Sequence, residues 1–229
     1  MKEAMKNRNI SSLDKKGTNA LQPFFSIVVA TYNRADLLKR ALKSLIAQTE
    51  TDWEAILVDD GSTDGTYEEI APYLKVFPKI QYFKKEHTGE AKTKNEGVRR
   101  AIGRYVTFLD SDDEYDPRHL ESRKQILAKH PDVKFLHGGV RIIGNQHVPD
   151  RFDHSKTIDL QDCVIGGSFF IERDTLIQLN GFRDIALGTD ACLFDRAKEA
   201  KINIMETREP TYIYRRETQD SITNRMLLD

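Results

Sequence analysis

The stretch Arg104-Tyr-Val-Thr-Phe-Leu-Asp-Ser-Asp-Asp113 joins an apolar run of strand length to a cluster of acidic residues. Two similar runs, Phe25–Ala30 and Glu54–Val58, precede it, and segments with apolar residues at helical spacing lie between the runs. Strands that alternate with helices form βαβ units, and near-continuous apolar strands are typical of a parallel sheet covered on both faces. The sequence therefore predicts an α/β fold with a Rossmann-like, mostly parallel central sheet flanked by helices.

The alternation of strands and helices changes at Pro131. Before it, each strand is followed by a helix, and Asn33 is the residue type that caps the first of them. After it, short extended pieces mix with helical segments, and the polar stretch 144–158 is typical of a mobile loop. Because no internal linker or repeat is present, we predict one domain with two halves. The predicted boundaries are a mobile tail at 1–22, a single domain over 23–229, a first half at about 23–130 and a smaller mixed half at about 131–229.

The composition excludes several classes of protein. The 35 Lys and Arg residues against 36 Asp and Glu residues give a net charge of −1, so no basic excess favours nucleic acid. Only Cys163 and Cys192 are present, which excludes a disulfide scaffold and fits a reducing, cytoplasmic compartment. The longest apolar runs fall far short of the roughly 18 residues that span a membrane. The sequence contains no GxGxxG, Walker A, HExxH or GxSxG motif, and its six histidines lack the spacing of a zinc site.

Polar clusters follow three of the predicted strands, at Thr31–Arg34, Asp59–Ser62 and Asp110–Asp113. In an open α/β sheet, ligands bind at the carboxyl ends of the strands. Asp60 is therefore placed to accept hydrogen bonds from a nucleotide base or a ribose hydroxyl. The alternative is that this segment forms only a turn, with a helix cap at Ser62 or Asp64.

The cluster after the fourth strand is rich in carboxylates. In an extended backbone, the side chains of Asp110 and Asp112 project to the same side and that of Ser111 to the other. Two neighbouring carboxylates attract a hard divalent cation such as Mg²⁺ or Mn²⁺, which takes its remaining ligands from water and phosphates. The alternative is an Asp-rich loop that caps the following helix.

Basic residues follow the third strand. The helix there carries Lys92 and Lys94, and its N-terminus offers free N–H groups and positive partial charge. Either lysine would help to neutralise a diphosphate at this position. The alternative is a solvated basic face.

The order and spacing of these clusters resemble those of a known protein family. Over about residues 24–224, the chain resembles the family 2 glycosyltransferases of GT-A fold. The motifs are Ser26-Ile-Val-Val-Ala-Thr-Tyr-Asn33, Val58-Asp-Asp-Gly-Ser-Thr-Asp-Gly65, Lys94-Asn-Glu-Gly97, Gly103-Arg-Tyr-Val-Thr-Phe-Leu-Asp-Ser-Asp-Asp113, Gly181-Phe182, Asp190-Ala-Cys-Leu-Phe194 and the segment from Arg215-Arg216 to Ser221. The resemblance implies a GT-A fold with a nucleotide-binding first half and an acceptor-side second half.

The resemblance also implies an activity. A sugar would pass, with inversion, from a nucleoside diphosphate-sugar to an acceptor hydroxyl, in polysaccharide or glycan synthesis. The acceptor would be a saccharide or a lipid-linked saccharide, the latter requiring peripheral contact with a membrane. Thr31 and Tyr32, with Asp60, match positions that hold the base and ribose, and Lys94 matches a position near the diphosphate. Asp190 matches the catalytic base.

The acidic cluster matches the DXD motif of the family. Asp110-Ser111-Asp112 would bind the donor. The resemblance implies that Asp112 is the ligand of Mn²⁺ or Mg²⁺. Asp110 would support the ribose or a metal-bound water.

The sequence departs from the family pattern at two places. Thr189 stands where an acid commonly precedes the base, and a His that often follows the Arg-rich strand is absent. Metal affinity would then depend more on Asp112, the diphosphate and water, or Glu217 or Asp220 would substitute for the His. The leading hypothesis is an active glycosyltransferase, and these departures leave a second one open, a nucleotide-sugar-binding module without turnover. A third, a nucleotidyltransferase, would need a basic first turn, where only Arg34 is present. From the residues alone, Asp190 is more typical of a helix N-cap than of a base.

Overall fold

The computed structural model describes residues 22–153 and 155–217; the predicted tail, apart from Gln22, and Asp220 lie outside the described residues. The strands are β1 (Phe25–Thr31), β2 (Trp53–Asp59), β3 (Ile80–Lys84), β4 (Tyr105–Phe108), β5 (Glu114–Tyr115), β6 (Phe135–Gly144), β7 (His147–Pro149), β8 (Thr157–Asp159), β9 (Phe170–Glu172) and β10 (Ile204–Arg216). The helices are α1 (Ala35–Ile46), α2 (Thr66–Val76), α3 (Glu90–Arg100), α4 (His119–Lys129), α5 (Arg173–Gln178) and α6 (Thr189–Glu199).

Helices cover both faces of β1, β2 and β4 in the parallel part of the sheet, which explains why these three strands are almost entirely buried. β1 pairs in parallel with β2 and β4, and β2 pairs in parallel with β3. Ile27 of β1 is buried in the same core cluster as Leu38 of α1, whereas Val28 lies in a second cluster with Val98 of α3. α3 approaches β1 closely because Gly97 has no side chain: a Cβ there would lie 2.3 Å from Cγ1 of Val28.

The remaining strands extend the same sheet. Its strand order is β3-β2-β1-β4-β9-β6-β10-β5. β9 lies antiparallel between β4 and β6, and β10 is parallel to β6 and antiparallel to β5. The sheet therefore runs from the first half of the chain into the second, and the predicted α/β class with a mostly parallel sheet is confirmed.

The prediction of a loop over the whole of 144–158 was wrong. β7 and β8 form an antiparallel ribbon in which Val148 pairs with Ile158. Val148 is buried in the core cluster that contains Ile27, and Ile158 packs against that cluster. These two apolar residues give an otherwise polar stretch a face that the core covers, and this stabilises the ribbon.

The helix cap predicted at Asn33 was also wrong. α1 begins without a side-chain cap, and Asn33, at a φ of 50°, instead accepts a hydrogen bond from the Thr63 N–H through Oδ1, at 2.7 Å. α2 begins after Gly65, at a φ of 81°, and Asp64, one of the two alternative caps, accepts the N–H of Thr66, the first residue of the helix, through Oδ1 at 3.1 Å. Asp64 Oδ2 accepts the first N–H of α1 at 3.0 Å. The loops after β1 and β2 therefore fix each other, which positions the residues between them.

Candidate active site

A hollow of about 970 Å³ opens where β1, β2 and β4 end. The beginnings of α3 and α6 and the β7–β8 ribbon complete its walls. The sequence-predicted residues that line it are Thr31, Tyr32, Asp60, Asp110, Ser111, Asp112 and Asp190. Lys94 is buried and contacts Asp110 at this wall. The fold thus brings all the predicted site residues to one place, although β1 separates Asp60 from the carboxylates that follow β4.

The carboxylate of Asp60 is buried and already engaged by the protein. Oδ1 accepts the N–H of Thr88 at 2.9 Å, Oδ2 accepts the N–H of Gly89 at 2.8 Å, and Lys85 pairs with Oδ1. Burial opposes the ionisation of Asp60, but these hydrogen bonds outweigh it and hold the pKa below its ordinary value. Asp60 is therefore an anion in this environment.

An aromatic pair lies beside Asp60. The ring of Tyr32 stacks on that of His87, with centroids 4.1 Å apart and planes at 24°. Next to it, Thr31 Oγ1 is buried and has no hydrogen-bond partner within the described part of the chain. A buried hydroxyl without a partner costs free energy, and a ligand hydroxyl or carbonyl in the hollow would satisfy it.

The acidic cluster is a turn, so the prediction of an extended backbone was wrong. β4 ends at Phe108, and the Asp113 N–H donates to the Asp110 carbonyl oxygen at 3.0 Å. Asp110 and Asp112 still both line the hollow, and Ser111 lines it with them rather than facing away. Asp113 is buried on the core side and accepts the Tyr212 hydroxyl at 2.6 Å.

The carboxylates of Asp110 and Asp112 each have a cationic partner. Arg34 forms an ion pair with Asp112, and the Lys94 ammonium lies 2.9 Å from Asp110 Oδ1. Burial raises the pKa of Asp112, and the Arg34 charge opposes this. Arg40 donates to the carbonyl oxygen of Asp112 at 2.6 Å, which holds the turn from the α1 side.

Lys94 is the buried cation of the site. Its ammonium lies 2.6 Å from Glu90 Oε1 as well as 2.9 Å from Asp110. Burial alone would lower the pKa of Lys94, but the charges of Asp110, Glu90 and Asp190 outweigh burial and raise it well above its ordinary value. Lys94 therefore places a fixed positive charge behind three carboxylates that share the hollow.

Asp190 lies in the first turn of α6, not at its cap. The helix begins at Thr189 after Gly188, which has a φ of 77°. Asp190 Oδ2 accepts the Gly166 N–H at 3.0 Å. Burial raises the pKa of Asp190 to about 6; Lys94 opposes the rise, and Glu90 and Asp110 add to it. This carboxyl is poised to exchange a proton near neutral pH.

The Asp110 and Asp112 carboxylates fit a metal ion that protein and substrate bind together, rather than an ion whose ligands all come from the protein. Within the described ranges, no group of three or more His, Cys, Asp or Glu side chains is arranged to hold a metal ion. Asp110 and Asp112 offer two hard oxygen donors at the wall of the hollow. Mg²⁺ and Mn²⁺ accept such a set, because they complete their shells with water and substrate phosphates.

Apolar side chains form a further part of the lining. They come from the ribbon and from the segments around α6 and are Val148, Ile158, Val164, Ile185, Leu187 and Phe194, and charged residues of the same segments, among them Arg151, Asp195 and Lys198, line the hollow with them. Phe152, at the tip of the ribbon, is 84% exposed and also reaches this rim. An acceptor that enters here meets both hydrocarbon and charged groups.

Sequence reasoning missed three residues of the site. His87 was treated as one of six scattered histidines, yet it follows β3 by three positions, where ligands bind. Glu90 opens α3 and could have been noted as an acid one turn before Lys94. Gly166 carries no signal in the sequence, because its role depends on Asp190, 24 positions away.

Comparison with known proteins identifies the fold and the sequence family of the chain. The fold is that of the GT-A glycosyltransferases: S. aureus TarS 1-349 in complex with UDP-GlcNAc matches with a TM-score of 0.73 and 21% identity, over 86% of this chain and 60% of that chain. The chain belongs to glycosyl transferase family 2, since the sequence model described as "Glycosyl transferase family 2" matches residues 26–174. The resemblance seen in the motifs is thereby confirmed.

Two relatives illustrate the family. The chain is 34% identical over 152 residues to "Putative teichuronic acid biosynthesis glycosyltransferase TuaG" of Bacillus subtilis (strain 168), covering 63% of this chain and 60% of that protein. It is 29% identical over 146 residues to "UDP-Glc:alpha-D-GlcNAc-diphosphoundecaprenol beta-1,3-glucosyltransferase WfgD" of Escherichia coli, covering 62% of this chain and 56% of that protein. The chain therefore spans less than two thirds of the relatives it matches. In the part of the chain that the structure describes, the helices are too short or too polar to cross a membrane.

Proposed function

We propose that this protein is a metal-dependent, inverting glycosyltransferase that moves a sugar from a nucleoside diphosphate-sugar to an acceptor hydroxyl in polysaccharide or glycan synthesis. The observation that carries the proposal is the meeting of Asp190, Lys94 and Asp110 at one hollow, from three different elements. Family membership and the named relatives support the same reaction class.

The donor nucleotide would lie at the ends of β1 and β2. Tyr32 offers an exposed aromatic face for the base, and the buried Thr31 hydroxyl lacks a partner among the described residues. The diphosphate would lie near Asp110, Ser111 and Lys94, so that the Lys94 charge offsets part of its negative charge.

Asp190 would act as the base. The acceptor hydroxyl oxygen bonds to the anomeric carbon of the donor sugar on the face opposite the diphosphate, and the diphosphate leaves with the electron pair of the broken C–O bond. The hydroxyl proton passes to the Asp190 carboxylate. Attack from the opposite face inverts the configuration at the anomeric carbon. A pKa of about 6 makes this carboxylate mostly ionised at neutral pH and a better base than an ordinary Asp.

Asp112 and Asp110 would hold the Mn²⁺ or Mg²⁺ ion. When bound, the ion offsets the charge that develops on the leaving diphosphate. The chain's own cations already approach these carboxylates, so binding of the ion competes with the Arg34–Asp112 pair.

The apolar residues that line part of the hollow favour an acceptor with an apolar portion, a lipid-linked saccharide, over a plain saccharide. WfgD carries such an acceptor in its name. With this acceptor the protein would work on the cytoplasmic side, peripheral to a membrane.

Two substitutions test the proposal. Asp190→Asn should abolish sugar transfer while donor binding, measured by calorimetry with UDP-glucose or UDP-GlcNAc and Mn²⁺, persists; turnover like that of the native protein would remove the base assignment. Asp112→Asn should weaken donor binding in Mn²⁺ but not in EDTA. A protein that binds the donor without transferring or hydrolysing it, over a broad panel of acceptors, would instead be a nucleotide-sugar-binding module.

A further inference from the structure

The motif Gly181-Phe182, which has no role in the proposed reaction, is joined to α3 by the side chain of Asn95. Asn95 Oδ1 accepts the N–H of Phe182 at 2.8 Å, and Asn95 Nδ2 donates to the carbonyl oxygen of Phe182, also at 2.8 Å. A Cβ on Gly181, which has a φ of 59°, would lie 2.2 Å from Asn95 Oδ1. The amide therefore binds both backbone groups of one residue, which fixes this segment in position and in rotation against α3.

The helix that carries Asp190 holds the same segment from the other side. Arg196 of α6 donates through Nη2 to the carbonyl oxygen of Gly181 at 2.5 Å, and through Nη1 to the carbonyl oxygen of Leu179. Arg196 and Asp190 belong to one helix of 11 residues, so the two side chains move together. The segment 179–182 is thus hydrogen-bonded to α3 and to α6 at once.

The ring of Phe182 brings the segment 179–182 against the other charged groups of the site. It is buried, and it packs edge-on against Phe108, the last residue of β4, with ring centroids 4.9 Å apart. The Lys94 ammonium lies 5.5 Å from the centroid of the same ring. The segment therefore contacts all three elements that bring Lys94, Asp110 and Asp190 to the hollow.

On the basis of the proposed function, we propose that Asn95 and Arg196 are positioning residues which, through the segment 179–182, set where α6 presents the Asp190 carboxylate to the bound donor. The effect should fall on α6 rather than on α3. α3 is held on β1 by the close approach of Gly97 to Val28, so Lys94 keeps its place when the hydrogen bonds of Asn95 are lost. Release of the segment should therefore slow the chemical step and leave the affinity for the donor unchanged.

The test compares kcat with donor affinity in variants of both helices. Asn95→Ala removes both hydrogen bonds from α3, and Arg196→Met removes those from α6 to the segment. Each should lower kcat by about tenfold or more, because misplacing a catalytic group by about 1 Å typically costs about 10²-fold, and should leave the donor Kd within about twofold. The double variant should lose less than the product of the two single losses, since both substitutions release the same segment.

The donor is whichever of UDP-glucose, UDP-GlcNAc and GDP-mannose the native protein binds by calorimetry with Mn²⁺. The rate is the release of nucleoside diphosphate from that donor, with water or, where faster, a member of the acceptor panel as the attacking group. Dividing the rate by the fraction of sites that bind donor removes the contribution of misfolded protein. Asn203→Ala is the matched control: Asn203, just before β10, also links distant segments through Nδ2, which donates to Asp132 Oδ2 at 2.7 Å, and its loss should leave kcat native.

Three results would overturn the inference alone. The first is a native kcat in both single variants. The second is a loss of donor affinity as large as the loss of kcat, which would indicate that the segment only supports the fold. The third is a double variant whose loss equals the product of the single losses, which would mean that Asn95 and Arg196 act separately. If the native protein bound none of the donors, or bound one without turnover, the proposed function would fall, and the inference with it.

Discussion

Gly166 is the residue whose substitution most directly tests the placement of Asp190. A Cβ built on Gly166 would lie 2.4 Å from Cγ and Oδ1 of Asp190, and 2.6 Å from Oδ2. Ordinary contacts of a Cβ begin at 3.4 Å, so the carboxylate would have to move by 3.4 − 2.4 = 1.0 Å. Gly166 has no positive φ, so Gly166→Ala adds this contact without adding backbone strain.

The expected cost follows from this displacement. Misplacing a catalytic group by about 1 Å typically costs about 10²-fold in rate. That factor corresponds to about 2.7 kcal/mol of transition-state stabilisation. We therefore expect Gly166→Ala to lower kcat by about 10²-fold, while donor binding, to which the Asp190 carboxylate does not contribute in our proposal, stays within about twofold.

The assay is the initial rate of nucleoside diphosphate release from the donor, with the acceptor that the native protein uses. Donor affinity supplies the control: if Gly166→Ala acts through the Asp190 carboxylate, the rate should fall while the affinity for the donor stays within about twofold. A native rate in Gly166→Ala, or a loss of donor affinity as large as the loss of rate, would refute this placement of the base.

Three further predictions concern charge and packing. The Asp190 base works only when ionised, so with a pKa of about 6 the rate should be flat above pH 7 and fall tenfold per unit below pH 5; a profile flat down to pH 4 would contradict the base role. Lys94→Met should move the midpoint of the pH–rate profile above pH 6, because Lys94 lowers the pKa of Asp190. It should also lower the free energy of unfolding in urea by about 3–5 kcal/mol. An unchanged midpoint would argue against electrostatic coupling between Lys94 and Asp190. Gly97→Ala should destabilise the fold by about 1–3 kcal/mol through its clash with Val28, and Val28→Ala in the same chain should recover part of the lost Tm; no recovery would place the strain elsewhere.

The fold was predictable because its signals are local. β1, β2 and β4 are mainly apolar runs that are buried on both faces, as Val28 and Ile27 show for β1, and each of the three precedes a polar cluster. The predictions that failed did so where distant partners override local preference. Asn33 binds Thr63, thirty positions away, instead of capping α1, and the core covers Val148 and Ile158 of a stretch that reads as a polar loop.

The sequence by itself determined the family, the α/β class and the residue types at the strand ends, because strand and helix periodicity and motif order are written in short windows. Only the tertiary structure decided which groups act on one another. It placed Asp190 against Gly166 and near Lys94, and it turned the Asp60 carboxylate toward His87. The pKa of a buried acid depends on solvent exclusion and on charges a few ångströms away, and these come from elements far apart in the chain.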